Sequence, residues 1–293
     1  MISAVIPTYR GRVRLERNLP SVIASLEQAG EPWEIVVVDD GGGALSTLPR
    51  GARLVTLPSN QGYGPAVNAG SRAAVGEYLL VLNDDVMLEV GTATLLRACF
   101  PASRLFAVVP AIRSSLARCG DEGGKVGAWE SGMIEVREAP ATAAHPTLYP
   151  VGCCFLCRRA DFLALDGYDD VYAPFLWEDV DLGYRAWRRG LATLHVPTAV
   201  CHHEGSATLS TERTLDERER MSFRNRALFH LRNLREPGRR AENLGAFAAH
   251  ALFDGREQRT RGLAEAMELL ALGGPREDGG LSDAEILERS GGR

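Results

Sequence analysis

The sequence predicts an α/β fold built on a mainly parallel central sheet, and two patterns carry that reading. Strand and helix signals alternate regularly over the first hundred residues or so, as consecutive βαβ units require. Acids recur where predicted strands end, at Asp39-Asp40 and at Asp84-Asp85, the place where open α/β sheets bind their ligands. The 293 residues are enough for one large domain with a substantial core.

Each element has a local reason. Ile2 to Pro7 is a short apolar strand, and Arg14 to Ala29 carries Leu15, Leu19, Val22, Ile23 and Leu26 at helical spacing before Gly30 ends it. Trp33 to Val38 is a second strand, closed by the turn Asp39-Asp40-Gly41-Gly42-Gly43. Ala52 to Leu57 is a third strand, Pro65 to Val75 a helix, and Tyr78 to Leu82 a fourth strand that ends in Asn83-Asp84-Asp85. A helix over Gly91 to Ala98 leads to a fifth strand, Leu105 to Pro110. Gly, Ser, Ala and Pro then break the periodicity from about Arg113 to Pro150, leaving a long excursion with a hairpin near Gly127 to Arg137; such stretches are usually functional or mobile. Strand character returns at Val151 to Arg158, followed by a short helix over Ala160 to Leu165 and an irregular approach, Gly167 to Phe175. Val180 to Gly190 is an amphipathic helix, Ala192 to Val196 a strand, and Cys201 to Ser206 a polar loop. Leu215 to Leu234, Ala241 to Phe253 and Thr260 to Leu272 are helical, and the Gly-rich polar residues from about Gly273 predict a poorly ordered tail. The division expected is a domain over 1–235 and a helical extension over 236–293.

Composition excludes several classes. A net charge of −5 gives no nucleic-acid footprint, and no run approaches the roughly 20 apolar residues of a membrane span. Six cysteines, Cys99, Cys119, Cys153, Cys154, Cys157 and Cys201, are too few for a disulfide scaffold and suit a reducing cytoplasm. Cys154 and Cys157 form a C-x-x-C, but their run alternates like a buried strand and has no second pair at zinc-like spacing.

Either acid pair alone is no more than a turn favoured by Asp. The order of the motifs is more informative: Pro7-Thr8-Tyr9 after the first strand, Asp39-Asp40-Gly41 after the second, and Asn60-Gln61-Gly62-Tyr63-Gly64 with Asn68, Gly70 and Arg72 before the fourth. Asn83-Asp84-Asp85 follows that strand, and Trp177-Glu178-Asp179 comes later. This order resembles the family 2 glycosyltransferases, with their GT-A nucleotide-sugar-binding fold, and the resemblance runs from residue 2 to about residue 235. It implies an inverting, hexosyltransferase-like enzyme that takes a sugar from a UDP- or dTDP-type donor.

By this resemblance Pro7, Thr8, Tyr9, Asp39, Asp40, Gly62, Asn68, Arg72, Asn83, Asp84 and Asp85 bind the nucleotide sugar. A carboxylate can accept the imide N–H of uracil or thymine and a tyrosine face can stack on the ring; Asp40 is the first choice for the base contact, with Asp39 close behind. Asn83-Asp84-Asp85 stands where the family has an Asp-x-Asp motif, so Asp85 is an expected ligand of Mn2+ or Mg2+, with Asn83 replacing the first acid. Cys201-His202-His203-Glu204 stands where many members place a histidine that completes the metal shell, His203 fitting better than His202. Asp179, with Glu178 beside it, is the expected general base, although a helix start would favour Asp there in any case. Arg224 and Arg226, in a segment resembling Tyr-x-x-Asn-Arg, are candidates for phosphate contact.

The acceptor is a hydroxyl on a glycan, a lipid-linked glycan or a small molecule; peripheral membrane contact and a homodimer stay open. Two other readings compete. A sugar-nucleotide nucleotidyltransferase would carry a Gly-rich loop and a lysine after the first strand, whereas Lys125 is the chain's one lysine. A non-catalytic nucleotide- or carbohydrate-binding module would need no base at Asp179.

Overall fold

The computed structural model describes residues 1–292, apart from 44–47, 49–51, 103, 115–119, 206–213, 254, 275 and 277–278. Cys119 and Ser206, named above, lie outside the described residues. A sheet in the order β3-β2-β1-β4-β10-β6-β11-β5 organises the molecule. Its first half is parallel: β1 (Ile2–Thr8) lies between β2 (Trp33–Asp39) and β4 (Tyr78–Leu82), and β2 pairs with β3 (Ala52–Thr56). Beyond β4 the sheet is mixed. β10 (Cys154–Arg158) runs antiparallel between β4 and β6 (Leu105–Ser114), and β6 pairs in parallel with β11 (Ala192–His203). Two short strands, β5 (Val86–Leu88) and β9 (His145–Pro146), add to β11, and β7 (Lys125–Glu130) with β8 (Met133–Glu138) forms the expected hairpin.

The apolar runs of β1, β2 and β4 are buried throughout or nearly so, as strands covered on both faces must be. Helices α1 (Arg12–Gln28), α2 (Tyr63–Ala73), α3 (Thr92–Arg97) and α4 (Arg159–Ala164) cover them, with Leu15, Leu19, Val22 and Leu26 turned into the core from α1. Cys154 and Cys157 are both fully buried in β10, where their odd separation sets them on opposite faces.

A second core forms around α5 (Glu178–Arg188) and the helices α6 (Leu215–Asn233), α7 (Pro237–Phe253) and α8 (Glu257–Gly273). Tyr184, Phe229, Phe247 and Ala266 meet there.

Two expectations are corrected. Cys201, His202 and His203 are the last residues of β11 and not a loop, because a register shift after Val196 lets the strand continue against β6 and β5. In the polar tail a helix, α9 (Asp283–Arg289), is opened by a capping box between Ser282 and Glu285 and buries Ile286 and Leu287 in the second core. Two apolar residues one helical step apart were too little periodicity to announce it.

Candidate active site

Parallel pairing of β2, β1 and β4 brings their carboxyl ends to one edge, where a cleft of about 720 Å³ opens. Pro7, Thr8, Tyr9, Asp40, Gly62, Asn83, Asp84, Asp85, Glu178, Asp179 and His203 all border it. Asp39, Asn68 and Arg72 do not.

Asp39 caps its own turn, accepting from the amides of Gly42 at 2.8 Å and Gly43 at 3.1 Å. Buried Asn68 fastens α2 to the chain near Tyr168, accepting from the Tyr168 amide at 2.9 Å and donating to its carbonyl at 2.7 Å. Arg72 is exposed on the far side of its helix. The correction for Arg72 is geometric: it sits late in α2, whereas the cleft meets that helix at Gly62, Tyr63 and Ala66.

Asp40 borders the cleft with both oxygens engaged, by the Gln61 amide at 2.7 Å and the Gly62 amide at 2.9 Å. Burial raises its pKa against those bonds. It shapes the Asn60–Gly62 loop, and Gly62 is required there: its φ is +99°, and a Cβ would lie 2.6 Å from the Pro174 backbone. Tyr9 presents its ring to the cleft with the Arg10 guanidinium 4.9 Å from the ring centroid.

Asp84 is the most constrained acid. Thr8 Oγ1 donates to it at 2.5 Å and Arg14 Nε at 3.0 Å, while the Asn18 amide donates to its carbonyl at 2.9 Å. Burial nevertheless raises its pKa. Arg14 and Asn18 belong to α1, and no sequence motif marked either.

Asp85 faces His203, with Oδ1 and Nε2 3.4 Å apart. The Glu204 amide donates to the Asp85 carbonyl at 3.2 Å and Glu204 pairs with Arg17 at 2.5 Å, which ties the end of β11 to the Asn83–Asp85 turn. His202 points the other way, exposed and paired with Glu89 at 2.9 Å. Burial disfavours the His203 imidazolium, but Asp85 outweighs this and raises its pKa. Among the described residues no three His, Cys, Asp or Glu side chains gather as a metal cage. Yet Asp85 Oδ1, Asn83 Oδ1 and both His203 ring nitrogens are buried without a hydrogen-bond partner. Such a set of unpaired oxygen and imidazole donors fits a divalent cation that takes its remaining ligands from a substrate.

Glu178 and Asp179 form the first turn of α5. The N-cap is Trp177, at φ 72°, so Asp179 is not the cap. Its carboxylate accepts from the amides of Gly152 at 3.1 Å and Val180 at 2.8 Å. Glu178 Oε2 is buried with no partner. Burial raises the pKa of both, the Asp179 charge raises that of Glu178 further, and the Gly152 and Val180 amides oppose the rise at Asp179. Asp181 is wholly occupied by Arg185 at 2.7 Å, Tyr172 at 2.9 Å, Asn233 at 2.8 Å and Arg276.

Arg224 and Arg226 do not reach the cleft. Arg224 donates to the Ala173 carbonyl at 2.6 Å and Arg226 pairs with Glu135. Between them Asn225, the Asn of that segment, shares its amide among the carbonyls of Tyr172, Phe175 and Leu176 and so holds the rim of the cleft. Glu122 also borders the cleft and was not foreseen; the only signal was an acid-glycine turn inside the long excursion.

Residues 3–164 match the model of the glycosyl transferase family 2. The chain is similar to the N-acetylglucosaminyl-diphospho-decaprenol L-rhamnosyltransferase of Mycobacterium tuberculosis, 29% identical over 245 residues, covering 71% of this chain and 78% of the relative. It also resembles the undecaprenyl-phosphate 4-deoxy-4-formamido-L-arabinose transferase of Pectobacterium carotovorum, 33% identical over 94 residues, 29% of each chain. Among solved structures, GalNAc-T7 with UDP, GalNAc and Mn2+ superposes with a TM-score of 0.57 at 20% identity, over 93% of this chain and 56% of that one. S. aureus TarS 1-349 with UDP-GlcNAc gives 0.56 at 17% identity, over 92% and 80%. At these identities the structural likeness concerns the fold.

Proposed function

The chain belongs to glycosyl transferase family 2 and has the GT-A fold, and from that premise we propose that it transfers a sugar, with inversion, from a UDP- or dTDP-type donor to a hydroxyl of a lipid-linked saccharide. The observation that carries the reading is one cleft holding an oriented, half-buried carboxylate at Asp179 and the facing Asp85 and His203, whose Oδ1 and ring nitrogens have no hydrogen-bond partner.

The acceptor hydroxyl gives its proton to Asp179 as its oxygen attacks the anomeric carbon, and the bond from that carbon to the diphosphate breaks. Burial lifts the Asp179 pKa towards the working pH, which improves a general base, and the Gly152 and Val180 amides aim it. Asp85, His203 and the Asn83 oxygen would hold Mn2+ or Mg2+, which offsets charge on the departing diphosphate. Two observations support this: GalNAc-T7 was solved with Mn2+, and the two relatives named above are described as acting with polyprenyl carriers. No helix among the described residues is long and apolar enough to cross a membrane, so such a carrier would be met at the bilayer surface.

The test is transfer from a panel of UDP- and dTDP-sugars to a polyprenyl-diphosphate-linked N-acetylglucosamine, with and without Mn2+, by the wild-type chain and by Asp179→Asn. Wild-type turnover should require the metal. Asp179→Asn should keep its melting temperature and nucleotide affinity while turnover falls by roughly 10² to 10⁴. A variant that melts lower yet keeps its specific activity would remove Asp179 from the reaction.

A further inference from the structure

Six acids border the cleft, and five of them are buried or bonded to other protein groups. Asp40 and Asp179 each accept backbone amides, Asp84 is held by Thr8 and Arg14, Asp85 faces His203, and Glu178 is buried against Asp179. Glu122 is the exception. It is partly exposed, and among the described residues its carboxylate has no hydrogen-bond or ion-pair partner.

The backbone that presents it is fixed. The Glu122 amide donates to the Ile112 carbonyl at 3.0 Å. On one side Asp121, almost fully buried, accepts from the amides of Ile112 at 2.9 Å and Gly123 at 2.8 Å, and pairs with His195 at 3.1 Å. His195 is itself fully buried, with its ring edge-on to His145 at 5.1 Å. On the other side a Cβ at Gly123 would lie 2.1 Å from the Pro110 carbonyl oxygen, so the turn is packed onto β6 as closely as a backbone can be. A hydrogen-bonded, closely packed turn that brings an unpaired carboxylate to a cleft suits a ligand with donor groups.

Glu122 stands at the His203 end of the cleft, for its amide is bonded to Ile112, which pairs with Cys201 two residues before His203. Under the donor reading above, on which this inference rests, that end receives the diphosphate and the sugar, and Tyr9 lies at the nucleoside end. We propose that Glu122 accepts hydrogen bonds from hydroxyls of the donor sugar and so determines which sugar is transferred. A carboxylate offers two oxygens, enough for a vicinal hydroxyl pair, and bonds of this charge-assisted kind discriminate by roughly 10- to 100-fold.

The test is calorimetric binding of UDP, dTDP and a panel of their hexose conjugates, with Mn2+ present, to the wild-type chain, Glu122→Ala and Glu122→Gln. The conjugate that wild type prefers should bind Glu122→Ala about 10- to 100-fold more weakly, with the parent diphosphate unchanged, and Glu122→Gln should fall between. Discrimination among hexoses should flatten in the same variant. Equal weakening of the parent diphosphate would make Glu122 part of the diphosphate or metal site and overturn the proposal, as would unchanged conjugate binding. If neither diphosphates nor conjugates bind wild type, the donor reading fails, and the role of Glu122 with it.

Discussion

His230 is held in one protonation state by bonds to both of its ring nitrogens. Nδ1 donates to the Arg226 carbonyl at 2.7 Å, and Nε2 accepts from the Ile134 amide at 2.8 Å, which only a neutral imidazole can do. Complete burial is the larger effect and takes its pKa down to about 3. In the unfolded chain the group binds a proton near pH 6.5, so the unfolded state is favoured as pH falls from there towards the folded value. Stability from this residue is therefore full above about pH 6.5 and declines by up to about 1.4 kcal/mol per pH unit below it. Urea unfolding of wild type and His230→Gln from pH 7 to pH 5 should show the wild type losing stability more steeply, by the equivalent of one proton; parallel profiles would refute this. Legibility at this scale followed strand ends. Asp85 could be anticipated because a strand end announces where its side chain will be, whereas Asp179 and His203 were legible only through the family resemblance, and their place in the cleft follows from the start of α5 and the end of β11. Asp40 was anticipated in place but not in its engagement by the Gln61 and Gly62 amides. Glu122 was hidden because its position depends on His195, a residue far along the chain on another strand.

Helix α5 serves the cleft with one end and the second core with the other. Its first turn presents Glu178 and Asp179, whose direction depends on how firmly the helix is seated. Asp181, with no exposure, anchors it through Arg185, Arg276, Tyr172 and Asn233, and despite burial these partners hold its carboxyl far below the usual range. Removing one member of such a buried set leaves the opposite charges unpaired, at a cost of about 3–5 kcal/mol. Asp181→Ala should therefore lose that much stability by chemical denaturation, while Asp181→Asn, which keeps an acceptor for Tyr172, should lose less. Equal and small losses would show that the arginines find other partners. Elements with strong periodicity were legible: β1, β2, β3, β4 and α2 fall within a few residues of their expected limits. The short β5 and β9 were not, since two or three residues carry no period and pair only because β11 passes beside them.

At the scale of the molecule, the cleft lies where two cores meet, and the segment after α8 closes the second one. Asp283, fully buried at the start of α9, accepts from the Tyr184 hydroxyl at 2.7 Å, from the Arg235 amide at 2.9 Å and from Arg188. Tyr184 and Arg188 are both on α5, so α9 stands behind the helix that carries Asp179. The Arg188 guanidinium is itself nearly buried and also donates to the Asn233 carbonyl at 2.9 Å, so it cannot turn to water if Asp283 is lost. A chain shortened to end at Gly280 loses Asp283 together with the burial of Ile286 and Leu287. The shortened chain should be less stable than the full chain by at least the roughly 3–5 kcal/mol of a broken buried pair. Asp283→Asn tests the charge alone, because it keeps α9 and an acceptor for Tyr184 but leaves Arg188 without its counter-charge. Its stability should fall between the other two. Turnover should follow the seating of α5, with kcat falling more than donor affinity, since the end of the cleft proposed for the nucleoside is built from β1 and the Asn60–Gly62 loop, away from α9. Urea unfolding and steady-state kinetics on the three chains decide it: unchanged stability of the shortened chain would make α9 an appendage, and a loss of donor affinity without loss of kcat would place its influence at the wrong end of the cleft.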